Sequence, residues 1–149
     1  MGERHARIFD ALRAPVLARL VDVRGSIDHV YGKIPNAVIR EHFDIILDKV
    51  RTFLATGDAG SYRRFSSRYL AIRVAEGFSH ENLIHSIVAI GDVVAQVART
   101  ELEPSPEREG FIREVIRMNF VHARMLVAFF AEELAERMAQ RELLLRSVK

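Results

Sequence analysis

Residues 80–102, HENLIHSIVAIGDVVAQVARTEL, decide the fold class of this chain. Their apolar residues recur at every third or fourth position, which is the spacing of a helix and not the alternation of a strand. One stripe comprises Leu83, Ile87, Ile90, Val94 and Val97, and a neighbouring stripe of smaller residues comprises Ile84, Val88, Gly91, Ala95 and Ala98. Because only a narrow polar line remains, we expect this helix at the centre of a bundle, with another helix packed closely on its small residues.

Glycine, proline and serine residues mark the ends of the other predicted helices. Ser79 is placed to cap the central helix, and Gly77 is expected to end the helix before it. Pro35 is favoured at the start of a further helix and Gly57 at its end. Pro15 predicts an interruption of the first helix, because proline removes a backbone donor. No segment alternates convincingly as a strand, so we expect an all-α single domain of five or six helices.

Composition excludes several classes of protein. The chain has 149 residues, of which 49% are hydrophobic, and this suits one domain with a real core. It contains no cysteine, which excludes disulfides, thiolate metal sites and a cysteine nucleophile. The net charge is only +2, and the local excess of arginine at positions 63–73 is too small to predict a nucleic-acid partner.

The sequence also argues against a membrane partner. The longest strongly apolar stretch, around Met125 to Ala131, is far shorter than the roughly 20 residues that cross a bilayer. The first residues, MGERHARIFD, are charged where a signal peptide would be apolar. We therefore expect a soluble cytoplasmic protein.

No motif indicates catalysis. The HExxH, GxSxG, Walker A and GxGxxG patterns are all missing from the sequence. Carboxylate pairs such as Asp44 with Asp48 are expected to lie on solvated helix faces. We therefore expect no catalytic residue, no metal ligand and no cofactor in this chain.

One histidine stands apart from the rest. Five of the six are expected at the surface: His5, His29, His42, His80 and His85. His122 instead follows Met118 by one turn on an apolar stripe that continues to Met125 and Phe129, and Asn119 lies nearby. Two interpretations remain open, a core histidine bonded to Asn119 or to a carbonyl, or the polar part of a small ligand pocket formed by these five residues. A haem ligand is a further alternative.

The last helix is too long for the bundle. From Pro106 to Lys149 there is no further proline, and a helix of about 40 residues would be about 60 Å long. A domain of this size is only about 35–40 Å across. Steps of four and three along the helix form a coiled-coil seam of Val127, Ala131, Leu134, Met138, Arg141, Leu145 and Val148.

This seam predicts a homodimer. Leu134, Met138, Arg141, Leu145 and Val148 are the candidate dimerisation residues, and residues 132–149 form a helical linker or dimerisation segment. The alternative is a helix that kinks near residues 131–133 and folds back on its own domain.

Residues Tyr62 to Val97 carry a family resemblance. The run YRRFSSRYLAIRVAEGFSHENLIHSIVAIGDVV, with Arg73, Glu76, Gly77 and a serine cap before an apolar helix, resembles the N-terminal non-haem globin-like domains of the RsbR and RsbRD stressosome co-antagonists. Similar helical domains precede some bacterial histidine kinases. The pattern covers about a quarter of the chain and contains no catalytic residue.

The resemblance implies a function. In those families the domain is a sensor or dimerisation module whose final helix leads into an output domain, and the ending RMAQRELLLRSVK is similar to such linkers. We therefore expect a globin-like, non-catalytic sensory or regulatory domain that signals through its last helix to a fused or separate output domain. The alternative is a globin-like protein that binds haem or another small ligand. No functional residue transfers from the family.

Overall fold

The chain folds into helices and connecting turns, without a strand, over residues 2–148, which are the residues that the computed structural model describes. The helices are α1 (Gly2–Ile27), α2 (His29–Gly32), α3 (Asn36–Thr56), α4 (Gly60–Ala75), α5 (His80–Glu101) and α6 (Pro106–Ser147). The all-α bundle with a long final helix is thus confirmed.

Helix α5 is the central helix, as its two apolar stripes predict. It packs against α1 and α6, and the Oγ atom of Ser79 accepts a 3.1 Å hydrogen bond from the backbone nitrogen of Asn82. At Gly91 a β-carbon would lie 1.8 Å from Oδ1 of Asn119 on α6. The absent side chain of Gly91 therefore lets α6 approach closely, as the small-residue stripe predicts.

Helix α1 corrects one prediction, because it continues through Pro15 without interruption. Proline deprives the carbonyl of Ala11 of its helical partner, but Ala11 is exposed and water can bond to it. On the inward side of the same turns, Leu12 and Val16 are buried in the core. Packing of these flanking turns outweighs the loss of one hydrogen bond.

Few residues of helix α4 are embedded in the core. It begins after the turn at Gly57 and ends before Gly77. The φ angles are 71° at Gly57 and 100° at Gly77, and glycine adopts such positive values readily. Only Tyr62, Ser66 and Leu70 of its 16 residues are buried. It therefore rests lightly on α3 and α6.

Helix α6 has 42 residues and extends beyond the bundle. Its last buried residue is Phe130, and every described residue from Leu134 onward is exposed. At 1.5 Å per residue the projecting segment is about 20 Å long. The helix continues through residues 131–133, so the alternative in which it folds back there is absent from this structure.

Among the described residues, one helix is long and apolar enough to cross a membrane by length and composition. It is α5, and not the apolar stretch around Met125 to Ala131. Its most apolar window is 56% buried inside the bundle, as expected for a core helix.

Candidate functional site

A polar cluster lies beneath α4, centred on His42. His42 is on α3 and only 8% exposed, so its predicted surface position is wrong. Its Nδ1 accepts a 2.9 Å hydrogen bond from Nη2 of Arg73, and its Nε2 lies 3.4 Å from the hydroxyl of Tyr31. The hydroxyl of Tyr69 also contacts the ring. The cluster thus joins α2, α3 and α4 through side chains that are distant in sequence.

These contacts fix the protonation of the imidazole. A guanidinium can only donate, so Nδ1 of His42 accepts and the proton of the neutral ring lies on Nε2, facing Tyr31. Burial, and then the charge of Arg73, lower the pKa of His42 to about 3. Burial also raises the pKa of the Tyr31 hydroxyl to about 12. His42 and Tyr31 are therefore both neutral near pH 7. The lone pair on Nδ1 of His42 already accepts the hydrogen bond from Arg73.

A second buried histidine lies against the N-terminal end of α4. His122 on α6 is 0% exposed and stacks on Tyr62, with ring centroids 3.9 Å apart and planes 16° apart. The edge of Phe53 packs against it at 5.2 Å. Neither ring nitrogen has a hydrogen-bond partner among the described residues. Burial lowers the pKa of His122 to about 4, so this ring is also neutral near pH 7.

Asn119 does not supply the missing partner of His122. Its Nδ2 donates a 3.3 Å hydrogen bond to the carbonyl of Val88 on α5, and its side chain lies over Gly91. Asn119 therefore joins α5 to α6 on another side of the helix. A buried polar group without a partner destabilises a fold by about 1–3 kcal/mol, so His122 is an unfavourable residue in its own core.

The interior beside these histidines is closely packed. A cavity of about 20 Å³ is lined by residues of α2 to α6, and its lining includes Tyr31, Tyr62, Ser66 and Ser86, which all carry hydroxyl groups. Its volume fits about one water molecule.

A larger groove of about 420 Å³ separates α4 from α6. Met125 and Phe129, two of the five predicted pocket residues, lie on its α6 side. Met118 and His122 lie in the core instead, and Asn119 faces α5. The structure therefore brings together only Met125 and Phe129 of the predicted set, and it adds residues from α4 that the sequence did not indicate.

The described part of the chain contains no group of side chains that could hold a metal ion. Across residues 2–148 no three His, Asp or Glu side chains are grouped closely enough to hold a metal ion.

The outer face of α6 carries the predicted seam and extends it. All large apolar residues of the seam are between 48% and 84% exposed: Ile116, Phe120, Val127, Leu134, Met138, Leu145 and Val148. The steps of four and three begin at Ile116, three positions of the pattern earlier than the sequence analysis placed them. We call this face the outer seam, and it comprises these seven residues together with Ala123, Ala131 and Arg141.

Within the bundle, the outer seam forms one wall of a surface groove. This groove has a volume of about 680 Å³, and Val88 and Asp92 of α5 lie opposite Ile116, Phe120 and Val127. Large exposed apolar patches of this kind mark sites of interaction more often than inert surface.

Comparisons with known proteins add no relative. No family model, no curated protein and no solved structure matches this chain. The resemblance to stressosome sensor domains therefore stays a prediction that rests on the residues quoted for it.

Proposed function

We propose that this chain is a non-catalytic sensory or regulatory domain of the cytoplasm that works as a homodimer. Its signal passes along α6 to an output domain or a separate partner. The resemblance of residues 62–97 to stressosome sensor domains supports the regulatory role. The outer seam of α6 supports the dimer and the direction of the signal.

The single observation that carries the proposal is the exposure of the outer seam. Phe120 is 70% exposed, and Leu134, Met138 and Leu145 project from a helix that no other part of the described chain covers. Leaving a large apolar side chain in water forfeits about 1.5–3 kcal/mol relative to burying it. A twofold copy of the same seam covers all of them at once, and closed dimers are the commonest oligomers.

Arg141 is the least favourable member of the seam. It is exposed, and its position between Met138 and Leu145 would place it in the line of contact between the two paired helices. Its aliphatic stem can lie along the seam while its guanidinium reaches a carboxylate such as Glu136 or Glu142 at the rim. The pairing is therefore looser at this turn than at the apolar turns on either side.

The mechanism follows from the contact between α5 and α6. Gly91 of α5 packs directly against Asn119 of α6, and Asn119 directly precedes Phe120 of the outer seam. A change in how α5 and α6 pack would therefore alter the register or separation of the paired α6 helices. Only a small difference in free energy between the two packings is required.

Distances between spin labels test this function. The chain contains no cysteine, so Gln140→Cys places one label on each projecting helix. We expect one short separation, because packed helices lie about 8–10 Å apart. The same labelled chain carrying Leu134→Glu and Leu145→Glu should lose that separation. If the Gln140→Cys chain with an otherwise unchanged seam gives no measurable separation between two labels, the proposal is contradicted.

A further inference from the structure

The groove between α4 and α6 lies where α6 leaves the bundle. Met125 and Phe129 form its apolar side on α6, and Glu132 follows them one turn later. Phe130, the last buried residue of α6, lies between these positions. Anything held in the groove would therefore contact α6 immediately before its projecting segment.

The lining of this groove is chemically mixed. Arg63 on α4 supplies a positive charge and Glu132 on α6 a negative charge, and neither forms an ion pair with any residue from 2 to 148. Ser66 and Ser67 add hydroxyl groups on the α4 side. Two charges of opposite sign, both unpaired, thus flank an apolar surface.

The volume agrees with a small molecule. The groove encloses about 420 Å³, and small-molecule sites typically measure about 300–1,000 Å³. Such sites combine a mainly apolar lining with a few polar groups that orient the ligand. An anion alone would meet Glu132, and a cation alone would meet Arg63, so charge complementarity favours a molecule that carries both charges.

We propose that this groove binds a small zwitterion with an apolar body, such as an α-amino acid with an apolar side chain. The carboxylate of the ligand binds Arg63 and its ammonium group binds Glu132. The apolar body lies on Met125 and Phe129. Since Arg63 belongs to α4 and Glu132 to α6, the ligand joins a lightly packed helix to the one that projects.

This site deepens the proposed function, because it supplies the signal that α6 would transmit. Only that consequence depends on the proposed function, whereas binding itself does not. Neither Tyr62 nor His122 lines the groove, so the ligand would leave the Tyr62–His122 stack in place. Ser66 and Leu126 line both the groove and the small cavity of about 20 Å³ beside it.

Titration of the full chain with L-leucine, followed by amide NMR shifts, tests the site. Two analogues that lack one charge serve as ligand controls: 4-methylpentanoate and 3-methylbutylamine. We expect leucine to shift resonances of residues 63–67 and 125–132, and each analogue to bind at least about tenfold more weakly, because a hydrogen bond to a charged group is lost.

Variants sharpen the test. Arg63→Gln and Glu132→Gln should each weaken leucine binding by about tenfold or more, whereas Arg64→Gln and Glu136→Gln should leave it unchanged. The proposal is overturned if millimolar leucine shifts no groove resonance. It is equally overturned if 4-methylpentanoate binds as tightly as leucine, or if both groove variants bind like the wild type.

The spin-labelled Gln140→Cys chain separates this proposal from the proposed function. Leucine binding that changes the label separation supports both. Leucine binding without any change supports the site but contradicts its role as the signal for α6. A dimer with a short separation that binds no leucine supports the proposed function and overturns the site.

Discussion

The two faces of α6 are both apolar, yet the structure uses them in opposite ways. The inner face is buried from Phe111 to Phe130 against the rest of the bundle. On the outer face every large apolar residue from Ile116 to Val148 is exposed. A helix with a single apolar face can bury that face against its own domain. Helix α6 carries a second apolar face that its domain does not cover.

This difference shows why residue type alone does not reveal a core. Phe111 and Phe120 lie nine positions apart on one helix, and only the first is buried. The inner face determines whether the monomer folds, and on our account the outer face determines whether two monomers meet.

The largest expected effect comes from comparing these two phenylalanines. Phe111→Ala should lower the free energy of unfolding by about 3–5 kcal/mol, because it opens a cavity in the core. Phe120→Ala should change it by about 0.5 kcal/mol or less, as for most surface substitutions. Urea denaturation measures both, in a chain that also carries Leu134→Glu and Leu145→Glu so that dimerisation does not contribute. Equal losses would show that the outer face is part of the monomer core.

Acid should weaken the inner face and the His42 cluster specifically. The pKa values of His122 and His42 in the folded state are about 4 and about 3, below the ordinary value of 6.5. At a pH between these values and 6.5, the histidines of the unfolded chain bind protons and those of the folded chain do not. The free energy of unfolding therefore falls as the pH falls. From pH 7 to pH 5, each buried histidine should remove about 2 kcal/mol.

Substitutions assign this loss to its source. His122→Phe keeps an aromatic ring on Tyr62, lacks the unpaired nitrogens and should remove about half of the pH dependence, as measured by denaturation at both pH values. His85→Gln, at an exposed position of α5, should leave the dependence intact. An unchanged dependence in His122→Phe would mean that this ring titrates normally.

A smaller effect on stability is expected at Gly91 of α5 and Asn119 of α6, since Asn119 lies between the inner and outer faces of α6. Gly91→Ala directs a β-carbon into the side chain of Asn119, which must rotate away and give up its bond to Val88. We expect a loss of about 1–3 kcal/mol despite the better helix propensity of alanine. Thermal unfolding of the single variants and of Gly91→Ala with Asn119→Ala forms a double-mutant cycle. Additive losses would show that the two residues do not compete for space.

Much of the fold follows from the sequence because its signals are local. Ser79, Gly57 and Gly77 act within one turn of their own positions, and the stripes of α5 depend only on helical spacing. The uninterrupted α1 was not predictable in this way. Whether a helix survives Pro15 depends on packing against α3 and α5, which the local sequence does not contain.

The candidate sites were less predictable for the same reason. His42 meets Arg73 and Tyr69 only because α3 and α4 fold against one another, and no spacing within α3 indicates this. Met125 and Phe129 were identified from their stripe, but their counterpart Arg63 lies on another helix. The start of the outer seam at Ile116 was visible in the sequence. The core stripe of the same part of α6, from Phe111 to Phe130, is equally apolar and conceals it.

The mass of the protein in solution tests the central claim, that the outer seam pairs with its copy, most directly. Light scattering at tens of micromolar should give twice the 17.0 kDa mass of one chain. Leu134→Glu with Leu145→Glu should return the mass of one chain while circular dichroism shows unchanged helical content. A wild-type mass of 17.0 kDa at that concentration would contradict the account.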